Sequence, residues 1–435
     1  MKIYQLESEK EKLLSILNGL RSVRRRKIRQ EVLRIKQKVE KERQKGIIEL
    51  CKKFDGWEKE HPLKLTRTEI KRGAEKVSKE DMKVLEAMVE RVIACHRPQR
   101  SVKRVIKERG LRIEEDYVPV ERLLVYSPGG KASYPSSLIM AAVPAKIAGV
   151  KEIYVTTPAP NGNVNPYILG CAKILDIEEV YRIGGAQAIF AFALGIDTIP
   201  KVDMIVGPGN AYVEEAKKEC FGIVGLDTIA GPSELLVFAE NPEFPDLVAL
   251  DLLSQAEHDE MALFWLFSNS KEYILKVIDY VTLFAEQSQR KKIIEQVLKR
   301  NAFFVHYKDE KMAVETVNSI APEHVQIIGN ENLKDRILYA GVIYLGITTP
   351  TALGDYFIGT NHILPTGGAG RFVGGLSVET FRRKRVKVFT TMEFLKKYGQ
   401  HAERMAELEG LFVHKEAIKA RKEKKDEIEG WVPKR

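Results

Sequence analysis

Nine short apolar runs, spaced along the middle of the chain, constrain its fold more than any other feature. RLLVY (122–126), EIYVTT (152–157), EVYRI (179–183), DMIVG (203–207) and ELLVF (234–238) form a first series, with helical stretches such as SSLIMAAVPAKIAG (136–149) between them. In NVNPYILGCAKIL, Asn165 is placed to cap a helix and Pro166 suits its first position. A second series follows: ALFWLF (262–267), AFFVH (302–306), HVQII (324–328) and GVIYLG (341–346), with helices expected over 271–299 and 309–320. Strand–helix alternation with short turns implies parallel sheets covered by helices on both faces. The chain is therefore expected to be an α/β protein with two such units. Its first ~95 residues read as helical from their heptad-like apolar spacing and dense Lys and Glu. Helical segments are expected at both ends.

At 435 residues the chain exceeds one average domain. No segment recurs at a solenoid-like period, and no apolar stretch approaches the ~20 residues of a membrane helix. The start, MKIYQLESEKEKLLSIL, carries acidic residues inside its apolar pattern, which does not suit a secretory leader. A cytoplasmic protein is expected. Cys51, Cys95, Cys171 and Cys220 are scattered, so reduced thiols are expected rather than disulfides or a cysteine-based zinc knuckle. Net charge is +10, and residues 1–49 hold 15 Lys and Arg against 7 Glu. The core of that excess, RSVRRRKIRQ (21–30), lacks interleaved aromatics and any Gly-rich RNA-binding signature. It reads as a solvated helix face or subunit contact, and no nucleic-acid partner is expected, because charge alone gives only non-specific attraction.

Three glycine-rich stretches bear on ligand binding. GPGNAY supplies Gly207 and Gly209 after a strand, but Tyr212 occupies the third glycine position of a dinucleotide fingerprint. There is no Walker A sequence either. YSPGGKASYPSS (126–137), a glycine pair and a run of hydroxyls before a helix, can be read as an anion cradle or as a plain connection. LPTGGAGRFVGGLS (364–377) is a long loop of the kind that serves a site or an interface.

SQAEHDE (254–260) follows the apolar run LVALDLL. On a helix Gln255 and His258 share a face, Asp259 lies near it and Glu257 points away. Imidazole with oxygen ligands suits zinc or another borderline divalent ion. In APEHVQI, Glu323 and His324 stand side by side at a strand entry and offer two proton-transfer groups of different basicity. LGDYFIGTNHILPTGG adds Asp355 and His362, and ELEGLFVH adds Glu409 and His414. Four of the eight histidines thus have acidic company. A metal site with a general base would serve a zinc hydrolase as well as a redox enzyme.

Taken together and in this order, these motifs resemble the histidinol dehydrogenase family. The similarity runs from VPVERLLVYSPGGKASYPSS through IGGAQAI, VDMIVGPGNAYV, DTIAGPSELLVFA, DLLSQAEHD and APEHVQI to LGDYFIGTNHILPTGGAGRFVGGLSV and EGLFVH, covering roughly 110–415. The resemblance implies two Rossmann-like α/β units with parallel sheets, of aldehyde-dehydrogenase-like type, and helical arms forming an intertwined homodimer with shared active sites. It implies an L-histidinol substrate, NAD and one Zn2+ per subunit. The implied zinc ligands are Gln255, His258, Asp355 and His414, the last from the neighbouring chain. Glu323 and His324 would be the proton-transfer pair. The substrate would meet Ser233, Gln255, His258, His324, Asp355, His362, Glu409 and His414, and NAD would lie against Tyr126, Gln187 and Asn210. The expected division is an arm (1–25), a first α/β domain (26–125 with 233–376), a second on the NAD side (126–232) and a C-terminal helical arm (377–435). Departures from the family pattern lie at KGIIELCKKFDG, at Ser127 before the glycine pair, and in the basic N-terminal segment.

Overall fold

The computed structural model describes residues 1–22, 25–129, 133–240, 243–424 and 427–428. The chain forms two compact units, Met1–Gln99 with Val120–Phe381, and Arg100–Pro119 with the chain from Arg382 onward. The first begins with β1 (Ile3–Gln5) and the helices α1 (Leu6–Ser22), α2 (Arg25–Asp55), α3 (Arg67–Ala74) and α4 (Lys79–His96). After β2 (Arg104–Glu108) and β3 (Leu111–Pro119) of the second unit, it resumes with β4 (Arg122–Tyr126), α5 (Pro135–Ala148), β5 (Glu152–Thr156), α6 (Pro166–Ile174), β6 (Glu179–Tyr181), α7 (Gly185–Leu194), β7 (Met204–Val206), α8 (Ala211–Glu219) and β8 (Gly225–Leu226). Next come β9 (Glu234–Ala239), α9 (Pro245–Ala256), β10 (Leu263–Ser268), α10 (Lys271–Gln287), α11 (Lys291–Arg300), β11 (Ala302–His306), α12 (Glu310–Ile320), β12 (His324–Ile328), β13 (Val342–Leu345) and α13 (Thr351–Tyr356). The chain then returns to the second unit as β14 (Arg382–Thr390), α14 (Met392–Leu408) and α15 (Phe412–Glu423).

All nine apolar runs are strands, and the parallel α/β reading holds. One sheet has the order β6-β5-β4-β7-β8 and the other β1-β11-β10-β9-β12-β13, with every pairing parallel. From central β4 the chain winds to β6 on one side and then to β8 on the other, and from central β9 it does the same to β11 and then to β13, with β1 added at the β11 edge, which is the doubly wound arrangement. Asn165 caps α6 through its side chain, as its sequence context predicts.

The two carboxyl edges differ. At the β4–β7 switch point Gly207 passes so close to β4 that a Cβ would sit 2.2 Å from the Tyr126 carbonyl oxygen, so the two backbones meet there with no side chain between them. At the β9–β12 switch point the protein's own groups fill the position. There the Glu240 carboxylate accepts hydrogen bonds from the Tyr307 hydroxyl (2.7 Å) and Asn330 Nδ2 (2.6 Å). A Cβ on Gly329 would lie 1.7 Å from the Glu240 carbonyl oxygen.

Four expectations change. Residues 3–5 join the six-stranded sheet beside β11 instead of extending the first helix. The segment expected as an arm (1–25) is helical over Leu6–Ser22 but is no free arm: Leu6, Leu13 and Leu17 are buried with Phe238, Trp265 and Val305. Residues 26–125 are expected with 233–376, but the segment 26–99 buries Val32, Val39 and Trp57 with Tyr126 and Phe190, and Ile70 and Val92 with Val125 and Leu138. This segment covers the five-stranded sheet, because amphipathic spacing says that a face is buried and not against which sheet. The helix expected over 271–299 is two, since Ser288 adopts an extended conformation between them.

The C-terminal segment is not purely helical. In the second unit β14 pairs antiparallel with β3, and β3 with β2. Arg385 and Lys387 both pair with Asp116, and Lys384 pairs with Glu115. Those cross-strand ion pairs reconcile a strongly basic run with a strand.

Gly329→Ala should cost about 3 kcal/mol or more, because a backbone oxygen cannot yield to the new methyl. Gly222→Ala, equally left-handed at φ 87° but with open space around it, should cost only about 1–2 kcal/mol. Urea unfolding of both variants checks this, and equal losses would contradict the close approach.

Candidate active site

Strands β9 and β12 are neighbours, and the residues leading into them share one pocket at the amino edge of their sheet. Helix α12 is capped by Ala321, a non-glycine residue held left-handed (φ 47°), and Pro322 then directs Glu323 and His324 into β12. Both side chains are buried. Glu323 Oε2 accepts a hydrogen bond from the Glu234 N–H at 2.9 Å, and Oε1 lies 3.7 Å from His324 Nε2. On the other side of the imidazole, the Tyr344 hydroxyl is 3.4 Å from Nδ1 and the two rings stack at 5.9 Å.

The crossover from β9 runs α9 back toward the same edge and delivers Gln255, which is buried. The helix stops at Ala256, so His258 follows in a turn, its N–H reaching the Gln255 carbonyl at 3.3 Å. The expected helical i, i+3 relation is thus a helix-terminal turn. Glu257 and Asp259 are exposed, and Asp259 Oδ1 accepts the Met261 N–H at 2.9 Å. Asp355 lies on α13, and its backbone carbonyl oxygen accepts a hydrogen bond from His362 Nδ1 at 2.8 Å. That bond leaves His362 Nε2 to accept from the Ser137 hydroxyl (3.2 Å), which comes from α5 of the other sheet's half.

Burial governs the electrostatics. It lowers His324 to about 3, with His258 and His362 adding to the shift. It lowers His362 to about 4 and also lowers His258, which Arg290 depresses further. Burial pushes Glu323 well above the usual carboxylate range and Asp355 up to about 7. The pocket therefore holds neutral imidazoles beside carboxyl groups that resist ionisation. Gln255 Nε2 is buried without a hydrogen-bond partner. The unprotonated His258 imidazole, the Asp355 carboxyl lacking a counter-charge and the carbonyl oxygen that the buried Gln255 amide can present make a donor set that fits a borderline divalent cation. Among the described residues, no three His, Cys, Asp or Glu side chains of one chain converge as a ready metal cluster.

Tyr126, Gln187 and Asn210 stand at the carboxyl edge of the five-stranded sheet, where doubly wound sheets hold ligands. Tyr126 ends β4, and its buried hydroxyl accepts the Gly185 N–H at 3.1 Å. Gln187 is buried in the first turn of α7. Asn210 is exposed and caps α8, its Oδ1 accepting from the N–H groups of Tyr212 and Val213. The segment 126–137 is described except for 130–132.

Comparison with known proteins decides the family. The family model "Histidinol dehydrogenase" matches residues 20–422. A histidinol dehydrogenase of Lactococcus lactis is 36% identical over 97% of this chain and 99% of its own length. That of Clostridium acetobutylicum is 42% identical over 87% of this chain and 88% of its own. The crystal structure of histidinol dehydrogenase from Elizabethkingia anophelis superposes with a TM-score of 0.89 at 33% identity, covering 95% of this chain and 97% of that one. The chain belongs to the histidinol dehydrogenase family.

Within this family fold, several residues tied to the site carried no sequence signal of their own. Ser137 and Tyr344 look like ordinary helix and strand residues until the halves meet. Lys217 is fully buried, its ammonium 2.8 Å from Asp227 and 3.4 Å from Glu214. Those carboxylates also receive the N–H groups of Gly207 (2.8 Å) and Gly209 (3.0 Å), so a buried ion cluster shapes the GPGN loop. Glu409 and His414 belong to the second unit, where both are exposed, Glu409 at the end of α14 and His414 in the first turn of α15.

The raised Glu323 makes a signed prediction. Its contribution to stability is complete below the unfolded carboxyl value of about 4.3 and is lost as pH rises through the higher folded value. Glu323→Gln keeps an acceptor for the Glu234 N–H and cannot ionise. Its thermal midpoint should exceed that of the parent by a margin that widens from about pH 5 to about pH 8; a margin that shrinks with pH would contradict the raised carboxyl.

Proposed function

We propose that this chain oxidises L-histidinol to L-histidine through L-histidinal, reducing two NAD in turn, as the last step of histidine biosynthesis in the cytoplasm. The observation that carries the reading is the buried Glu323–His324 pair, set beside His258, Asp355 and the orphaned Gln255 amide. Family membership supplies the substrate class and the NAD-linked oxidoreductase activity.

Gln255, His258 and Asp355, with His414 from a second copy of the chain, would hold zinc. When bound, zinc would supply a Lewis-acid template that orients the substrate, and NAD would supply the hydride acceptor. The chain's own residues handle the protons. Neutral His324 accepts the hydroxyl proton as the alcohol is oxidised, since burial keeps its imidazole unprotonated. Glu323, once ionised a stronger base than an ordinary carboxylate, takes a proton from the water that adds to the aldehyde. His324, its first proton released to solvent, then accepts the hydroxyl proton of the hydrate in the second oxidation. Ser233, His362 and Glu409 contact the substrate, and Tyr126, Gln187 and Asn210 line the cofactor side. Holding the aldehyde between the steps keeps a reactive intermediate from escaping.

The homodimer is supported by the exposed apolar residues of the second unit, Leu408, Phe412 and Val413 among them, which flank Glu409 and His414. No described helix is long and apolar enough to cross a membrane.

Purified enzyme should form two NADH per histidinol, and a chelator should abolish this; activity on polar diols alone would sink the substrate assignment. His258→Asn should lose bound zinc and activity while remaining folded, whereas His324→Gln should keep zinc and lose turnover. Refolding a mixture of His258→Asn and His414→Asn chains should restore about a quarter of parental activity, because only mixed dimers contain one intact shared site. No recovery would rule out sharing.

A further inference from the structure

Arg21 opens the basic stretch 21–30, and the function above gives that stretch no role. Part of the stretch lies outside the described residues, but Arg21 is placed at the end of α1. Its guanidinium donates to Glu234 Oε1 from Nε (3.1 Å) and Nη2 (2.7 Å), and to the Ile320 carbonyl oxygen from both Nη1 and Nη2 (3.1 Å each). The Arg21 side chain is 15% exposed and Glu234 0%. A Cβ on Gly368 would stand 3.2 Å from Arg21 Nη1, so the glycine-rich loop closes over the guanidinium.

Each partner leads directly to Glu323. The Glu234 N–H holds Glu323 Oε2. Ile320 is the last residue of α12, and its carbonyl precedes the left-handed Ala321 that turns the chain into Pro322 and Glu323. A left-handed alanine is sustained only when its surroundings fix it. Arg21 therefore bridges the strand start that anchors the carboxyl and the helix end that presents it. Lysine could not reproduce all four bonds, because its ammonium has three donors and lacks the planar fork.

We propose that Arg21 is a positioning residue for the Glu323–His324 pair, acting through Glu234 and the Ala321 turn, so that the N-terminal helix is part of the machinery of the active site. The proposal rests on the reading that Glu323 activates water in the second oxidation.

The test uses the full-length zinc-loaded enzyme with Arg21→Lys, Arg21→Met, Glu323→Gln and the double variant Arg21→Met/Glu323→Gln. The kcat and KM for histidinal oxidation are measured separately, together with thermal midpoints. Arg21→Met should lower kcat roughly ten- to a hundredfold with KM within about threefold, the loss expected when a reacting group is displaced by about an ångström. Arg21→Lys should recover part of that loss. In the Glu323→Gln background, Arg21→Met should cost less than about twofold more, because its effect runs through the group already removed. Losses that multiply in the double variant, or a falling midpoint with unchanged kcat, would overturn the proposal. Should Arg21→Met fail to fold, Arg21→Lys with and without Glu323→Gln decides by the same criterion. Undiminished histidinal oxidation by Glu323→Gln alone would instead remove the water-activating role of Glu323, a result the Arg21 variants cannot produce.

Discussion

A carboxylate with no exposed surface stands at the first residue of β9, and this end of the molecule is organised around it. Glu234 would be prohibitively costly there without a partner. The partner comes from more than 200 residues away in sequence, in the first helix. The helix thereby acquires a fixed place against the six-stranded sheet, supported by Leu6, Leu13 and Leu17. The same ion pair touches the residue whose backbone holds Glu323. Stability and chemistry at this edge depend on one desolvated contact.

The two sheets share one winding pattern and use it differently. The five-stranded sheet leaves its switch point to backbone and small residues, with the Lys217–Asp227–Glu214 cluster shaping the loop after β7. The six-stranded sheet fills the equivalent place with Glu240, Tyr307 and Asn330, and gathers its reactive groups at the opposite, amino edge. The hydrogen bond between Ser137 and His362 ties the first half to the second. A pocket assembled at such a junction is desolvated from both sides, which is why its imidazoles stay neutral and its carboxyl groups resist ionisation.

Much of the fold was legible because it rests on local pattern. Apolar runs of four to six residues, Asn165 before Pro166, and glycines after strands are statements about a few neighbours, and all nine strands follow from them. What failed was partnership. The three residues of β1 are too few to show a period, and RRKRVKVFT looks like a solvated helix until Asp116 and Glu115 stand opposite. Residues 26–99 advertise a buried face without naming the sheet that buries it. At the site, Gln255, His258, Glu323, His324, Asp355 and His362 stood out because polar groups beside apolar runs are unusual. Ser137, Tyr344, Lys217 and Arg21 did not, since each is an ordinary residue in its own segment.

The sequence by itself determined the parallel α/β class, the strand positions, the family resemblance and the residue types able to move protons or hold a cation, because those follow from composition over short windows. Only the tertiary structure decided which edge of which sheet carries the reactive groups. It alone showed that Asp259 caps a turn while Gln255 is buried with its Nε2 unpartnered, and that an arginine in a basic run neutralises a buried glutamate. These are desolvation effects between residues far apart in the chain, and desolvation exists only once the chain has packed.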